Sequence, residues 1–307
     1  MSDPFLRFEN SRIQIGGKNI MANSANLSIS PKLTEEKVYG RTDLSICGAP
    51  TQFVEFSPVG MLQGQLEINF YISAETFLIN KNPNSIEKMF EIKAGMSDNP
   101  IDDNIVGRYK FDGMFLKSFS FTLAPFQNLI ATAVYDIYGT IKRYEEAIDR
   151  FSQPVVDFAH GLQSFGNVKI SGASAASAIG RQFEISNLKY NINVTRKVHS
   201  HIRDNEHTSV NTRSEGATPY RITAENITSE MNIESNELIP NLNPYGDQQN
   251  GSTPFGLKNS TITAYLYGLT GEQVTKFSTS GKIHTQSLEV SEGSYAKGSM
   301  TIKEVIK

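Results

Sequence analysis

Alternation of apolar and polar residues is the dominant pattern of this chain. In G-Q-L-E-I-N-F-Y-I at 64–72, four core-type side chains alternate with polar ones or tyrosine. A period of two predicts a strand with one buried face. Other stretches of the same kind are R-I-Q-I-G-G-K at 12–18, S-A-N-L-S-I-S-P at 24–31, L-K-S-F-S-F-T-L at 116–123 and L-I-A-T-A-V-Y-D-I-Y at 129–138. The pattern therefore predicts a mainly β protein.

Two stretches have helical spacing instead. In residues 84–95, Ile86, Met89 and Phe90 recur at i, i+3 and i+4, which predicts a helix with one apolar stripe lying on a sheet. Residues 140–165 repeat apolar side chains at similar intervals up to a proline. We expect this second stretch to be a partly helical connector.

The second half of the chain repeats the strand patterns of the first in the same order. The matches join 12–18 with 167–173, 25–29 with 192–196, 64–68 with 229–233 and 116–123 with 283–290, at separations of 155 to 167 positions. Ordered matches at a nearly constant separation indicate that one unit occurs twice. We therefore expect domains at 1–140 and 167–307, joined by a connector at 141–166.

Composition narrows the class of protein. The 307 residues carry 29 Lys and Arg against 32 Asp and Glu, so no basic excess indicates nucleic-acid affinity. Cys47 is the only cysteine, which excludes an internal disulfide and fits assembly in a reducing cytoplasm. The first ten residues contain no basic-then-apolar segment, so we expect no secretory signal, and no apolar run approaches the roughly 20 residues needed to span a bilayer.

Candidate chemistry is sparse. H-S-H-I-R-D-N-E-H at 199–207 would place His199 and His201 on one face of a strand, where both could reach a metal. Polar neighbours favour an exposed hairpin or loop instead. Nucleophile elbows, Walker loops and dinucleotide-binding glycine motifs are absent from the sequence. We therefore expect no enzyme activity, no catalytic residue, no cofactor and no metal.

The order of elements carries a resemblance. It runs strand, Gly-Gly, strand ending in proline, long polar stretch, long alternating strand, helix and closing hairpin. This resembles the tail-tube fold of bacteriophages, shared with the tube proteins of contractile injection and type VI secretion systems. The likeness covers residues 11–140 well and residues 166–307 more loosely. It implies a β-sandwich or barrel with one helix per domain.

In that family, six copies of one domain form a ring whose joined sheets make a continuous β-barrel. The resemblance implies that a two-domain chain closes the ring as a homotrimer with pseudo-sixfold symmetry, and that rings stack into a hollow tube in the virion tail. It further implies assembly in the host cytoplasm, other tail proteins as partners, no membrane partner, and DNA passing through the lumen during ejection. The polar stretches 32–60 and 197–220 would contact neighbouring rings.

The same resemblance implies which side chains line the lumen. They are Gln65, Glu67, Asn69, Glu230, Asn232 and Glu234. Acidic and amide side chains offer phosphates no counter-charge, so DNA would slide without specific binding.

Two departures from the family pattern leave alternatives open. The connector has no counterpart in single-domain tubes, and residues 237–251 contain two prolines where a second helix is expected. The alternatives are a tube-initiator, neck or baseplate ring, or a two-domain β-sandwich fibre or capsid-associated binding protein.

Overall fold

A computed structural model gives the fold of part of the chain. It describes residues 11–15, 18–39, 52–73, 90–95, 105–111, 114–125, 129–137, 141–144, 168–172, 185–200, 220–236, 238, 242–243, 254–257, 259–268 and 271–306. Almost all of these residues lie in strands, so the mainly β class is confirmed. Among them, the one helical element is a short 3-10 helix at Phe255–Leu257.

The strands of the first half are β1 (Ser11–Ile15), β2 (Lys18–Ile20), β3 (Ala22–Tyr39), β4 (Gln52–Tyr71), β5 (Phe90–Gly95), β6 (Ile105–Phe111), β7 (Met114–Leu123), β8 (Ile130–Ile137) and β9 (Ile141–Tyr144). Those of the second half are β10 (Val168–Gly172), β11 (Asn187–Ser200), β12 (Tyr220–Ser235), β13 (Asn259–Tyr267), β14 (Gln273–Glu289) and β15 (Lys297–Ile306).

These strands form two sheets. The smaller has the order β2-β1-β5-β6-β9, and the larger has the order β10-β13-β14-β15-β12-β11-β7-β8-β4-β3. Every neighbouring pair in the larger sheet is antiparallel. The two halves of the chain meet where β11 pairs with β7, from Leu188 opposite Leu123 to Asn193 opposite Ser118. One open antiparallel sheet therefore runs through both halves.

The core lies on one face of this sheet because apolar residues alternate along each central strand. In β8 every second residue is buried, and Tyr135 is fully buried opposite Leu66 of β4. The same alternation buries Met231 and Ile233 of β12. Side chains directly opposite on neighbouring strands share a face. The apolar face is thus continuous from β4 to β15.

The first half of β14 covers this core. The ring of Phe277 is 98% buried and lies 4.8 Å from that of Phe121, 5.1 Å from Tyr190 and 5.8 Å, stacked, from Phe119. Phe119 and Phe121 belong to β7, whereas Tyr190 belongs to β11. The aromatic cluster therefore packs the strand junction of the two halves against β14.

β14 changes its role along its length. Residues 273–282 pair with β13, and residues 282–289 pair with β15. Lys282 lies opposite both Asn259 and Lys303, so these two partners occupy opposite edges of β14. Beyond Lys282, no described strand pairs with the edge that β13 occupies before it. Gly281 stands at this change, where an added Cβ would lie 2.2 Å from the carbonyl oxygen of Lys303.

The predicted helix at 84–95 is wrong over its described part. Phe90–Gly95 is strand β5, which pairs with β1 and β6. F-E-I-K-A also alternates apolar and polar residues, and the two flanking strands supply ladder hydrogen bonds that a short helix cannot match. Residues 84–89 lie outside the described residues. One helix per domain is therefore not found in the described part of the chain.

The connector also begins differently from its prediction. Ile141–Tyr144 is strand β9, paired with β6, rather than the first turn of a helix. The rest of the connector, residues 145–166, lies outside the described residues. The polar stretch 32–60 was expected to contact neighbouring rings. Its residues 32–39 and 52–60 extend the β3–β4 hairpin.

Ladders of the first half recur in the second. β7 pairs with β8 with a bulge between Leu116 and Ser118, and β14 pairs with β15 with a bulge between Ile283 and Thr285, each 167 positions later. Across the larger sheet, the order β14-β15-β12-β11 is followed by β7-β8-β4-β3. Each set consists of two hairpins. The strands of the first hairpin come late in their half of the chain, and those of the second hairpin come early in it.

Candidate functional site

The face opposite the core is polar and carries all six residues expected to line a lumen. On β4, exposed Gln65 and Glu67 alternate with buried Leu66 and Ile68. On β12, the three expected residues are half-buried and alternate with buried ones in the same way. We call this surface the polar face. The strand alternation alone fixes which side chains project from it.

The expected residues of the two halves lie on the same side of one sheet. Asn69 lies opposite Thr132, which lies opposite Ser120. Ser120 lies opposite Asn191, and Asn191 lies opposite Glu230. Directly opposite residues share a face, so this row joins Asn69 and Glu230 across the junction of the halves.

Hydroxyl and amide groups of the polar face bond to one another between strands. Thr132 donates to Oδ1 of Asn69 at 2.6 Å, and Nδ2 of Asn69 donates to Ser24 at 2.9 Å. In the second half, Nδ2 of Asn232 donates to Thr301 at 2.7 Å. These bonds hold polar side chains in place across neighbouring strands.

An ion pair lies at one end of the polar face. Nζ of Lys297 lies 2.7 Å from Oε2 of Glu234, and the amide of Asn187 lies 3.4 Å from the same oxygen. The hydrogen bond from Lys297 is the main cause that lowers the pKa of Glu234, and the same bond raises the pKa of Lys297. The carboxylate is therefore held ionised by its neighbour.

Lysines share the polar face, and the sequence reasoning missed them. Lys189 lies opposite Asn232, Lys303 lies opposite Glu230, and Nζ of Lys117 is 3.5 Å from Asp136. Parity along their own strands would have revealed them, since Lys189 is two residues before Asn191. The face combines hydroxyls, amides and interspersed charges of both signs, rather than acids and amides alone.

Of the histidines at 199–207, the structure describes only His199. Nε2 of His199 is 3.0 Å from Oγ1 of Thr223, whereas residues 201–219 lie outside the described part. Within the described ranges, no group of three or more His, Cys, Asp or Glu side chains is arranged to hold a metal ion. Nor does any helix there have the length and apolar character needed to cross a membrane.

Two separate strand edges of the larger sheet have no partner strand among the described residues. β3 is the last described strand at one end of the larger sheet, and its residues 25–30 pair only with β4 among the described strands. The other edge is that of β14 beyond Lys282, described above. Apolar side chains are exposed along both edges: Ile29 of β3 is 41% exposed, Leu288 of β14 is 43% exposed, and Val290, the residue after β14, is 72% exposed.

No protein-family model matches this chain, and a search of curated protein sequences finds no match.

Proposed function

We propose that this chain is a structural virion protein, a tail-tube subunit whose trimeric rings stack into a hollow conduit for DNA. On this proposal residues 1–140 and 167–307 are two copies of one β domain, each contributing to the ring, and residues 141–166 connect them. The protein acts in the virion tail and assembles in the host cytoplasm with itself and other tail proteins.

The recurring strand order carries this proposal. A set of four strands, β14-β15-β12-β11, is followed in the same sheet by a similar set, β7-β8-β4-β3. The junction is head to tail, because an early strand of one half pairs with a late strand of the other. Head-to-tail contacts between identical units extend into rings or filaments. Closure into a barrel would also remove the exposed strand edges.

The recurring bulge supports the interpretation as a duplication. Both late hairpins have their irregularity at the same place, between Leu116 and Ser118 and between Ile283 and Thr285. A bulge adds one residue and increases the local twist, so its position is a specific feature of a strand pair. Two units with the same bulge would curve alike, as the segments of one barrel require.

The polar face supports the conduit. Its hydroxyl and amide groups bond to one another, and Lys297 and Lys117 each lie beside an acidic group. A lysine that already lies beside a carboxylate displaces few counterions from DNA, so these two positions would add little to DNA affinity. A lumen lined by the polar face would let DNA of any base sequence pass.

Electron microscopy of the purified chain tests the proposal. In negative stain at increasing concentration, we expect annuli with a central hole that stack into tubes. Light scattering should give a ring mass of three times the 34.0 kDa chain. Monodisperse particles without a hole at every concentration would overturn the proposal.

Cysteine labelling tests which face lines the hole. In a Cys47→Ser background, Glu67→Cys should react with a bulky maleimide polymer in the monomer and become protected in stacked tubes. Tyr295→Cys is the matched control, because Tyr295 is 85% exposed in the turn region between β14 and β15. Equal labelling of Glu67→Cys before and after assembly would remove the polar face from the lumen.

A further inference from the structure

The junction of β11 with β7 provides a template for a contact between chains. Tyr190 lies opposite Phe121 with ring centroids 5.4 Å apart, and Ile192 lies opposite Phe119. All four side chains are buried. An early strand of the second half thus joins a late strand of the first through apolar pairs on the core face.

The end of β14 corresponds to the β7 side of this junction. Measured from the shared bulge, Leu288 is the counterpart of Phe121 and Gln286 the counterpart of Phe119. In β7 this edge is occupied by β11. In β14 the equivalent edge has no described partner, and Leu288 is 43% exposed there.

β3 corresponds to the β11 side. Leu27 lies opposite Leu66, and Tyr190 lies opposite Met231 in the equivalent ladder of the second half. Leu27 is therefore the counterpart of Tyr190. The ladder places Ile29 in the position of Ile192, which is buried in the junction, whereas Ile29 is 41% exposed.

We propose that residues 25–30 of one copy pair antiparallel with residues 285–290 of the next copy, with Leu27 opposite Leu288. This inference rests on the proposed ring assembly and specifies its interface. On the core face the register places Ala25 opposite Val290. On the polar face it places Ser28 opposite Ser287. Each chain has one edge of each kind, so the contact is head to tail.

A second copy of this chain is the partner that the two edges fit. The exposed apolar side chains occupy counterparts of positions that are already buried at the internal junction. An exposed edge with apolar side chains invites pairing with another strand, so a specific partner protects it. The internal junction shows that the two types of edge are compatible in direction and register.

Disulfide trapping tests the register. Residues directly opposite in an antiparallel pair have Cβ atoms about 4.5–5.5 Å apart, close enough for a disulfide after small adjustment. In a Cys47→Ser background, oxidised Ser28→Cys/Ser287→Cys chains should form covalent dimers and trimers on a denaturing gel. The matched control Ser28→Cys/Leu288→Cys places its second thiol on the opposite face and should remain monomeric.

Mixing single variants distinguishes head-to-tail from symmetric pairing. A mixture of Ser28→Cys chains and Ser287→Cys chains should give covalent dimers, whereas either variant alone should give none. Dimers from one variant alone would overturn the proposed interface. A second outcome would also overturn it: Ser28→Cys is trapped efficiently with Thr285→Cys, and the predicted pair is not trapped. That result would mean that the register is shifted by two residues.

A charge substitution tests the interface without cysteine. Ile29→Lys should raise the concentration needed for assembly at least about tenfold, because it places a charge among apolar side chains at the contact. Val305→Lys is the control, since Val305 is 56% exposed on β15 outside the proposed interface, and it should change that concentration less than about twofold. Equal effects of the two substitutions would overturn the interface.

These outcomes separate the interface from the proposed function. Annuli in the microscope without trapping of the predicted pair would reject this register and leave the tube standing. Predicted trapping without annuli at any concentration would establish the interface and reject the tube.

Discussion

Replacing Phe277 with alanine is expected to weaken both halves of the protein at once. Its ring lies within 6 Å, between centroids, of Phe119, Phe121 and Tyr190, and only 2% of Phe277 is exposed. Truncating a buried phenylalanine costs about 3–5 kcal/mol, through lost burial and an incompletely filled cavity. Part of that loss is aromatic pairing, worth about 0.5–1.5 kcal/mol per pair.

Chemical and thermal unfolding measure this loss. The chain has 12 tyrosines and no tryptophan, so tyrosine fluorescence and circular dichroism in urea follow unfolding without a dominant reporter. For a chain of this size, about 4 kcal/mol lowers Tm by roughly 6 °C. Because the ring contacts strands of both halves, both should unfold at the lower urea concentration.

Two control variants define the scale of this experiment. Phe277→Leu keeps an apolar side chain in the site and should cost clearly less than the alanine variant. Tyr295→Ala removes an aromatic ring that is 85% exposed and should stay within about 0.5 kcal/mol of the native protein. If Phe277→Ala loses less than about 1 kcal/mol, the covering role of β14 is refuted.

Three further substitutions probe other contacts. Gly298→Ala should destabilise by about 1–3 kcal/mol in thermal unfolding, because its Cβ would lie 2.0 Å from a backbone carbonyl oxygen, whereas Gly256→Ala has nothing within 4 Å. Equal Tm values for the two variants would contradict this. Ser229→Ala should cost about 1–3 kcal/mol, since it removes the partner, 2.9 Å away, of the buried Thr279 hydroxyl. The double variant Ser229→Ala/Thr279→Val should lose less stability than the two single variants lose together. A loss equal to that sum would count against the hydrogen bond. The lowered pKa of Glu234 means that its stabilisation is present above the ordinary value of 4.5 and lost as pH falls through its lower folded value. Glu234→Gln should therefore reduce stability by up to about 1 kcal/mol at neutral pH and flatten its acid dependence, and an unchanged acid profile would contradict the ion pair.

Strand alternation was sufficient to predict the central strands and their faces. β7, β8 and the part of β4 from residue 64 onward were anticipated, since apolar residues alternate along 64–72, 116–123 and 129–138. Parity alone also placed Glu67 and the other five expected residues on the polar face. Alternation along one strand does not show which other strands pair with it, so Lys189 and Lys303 join that face only through the pairing of β11 and β15 with β12.

Other features depend on partners that the sequence does not specify. Phe90 fits an apolar stripe of a helix and an alternating strand equally well, and only the neighbouring strands decide. The sequence match between 25–29 and 192–196 makes Val194 the counterpart of Leu27. The strand ladders instead make Tyr190 its counterpart. A slip of four residues preserves the alternation, so the pattern cannot detect it. Which strand edges lack a partner also depends on the order of strands in the sheet, so the sequence pattern alone does not predict it.

The uniformly antiparallel order of the larger sheet has a mechanical consequence. Its ladder hydrogen bonds run perpendicular to the strands, so a force along the strands loads many bonds in shear together. A force across the strands would open one ladder at a time. The β3–β4 ladder, which runs from Ala22 opposite Phe70 to Tyr39 opposite Gln52, is the longest strand pairing described in this sheet. The sheet is therefore stiffest along its strands and weakest at its lateral edges.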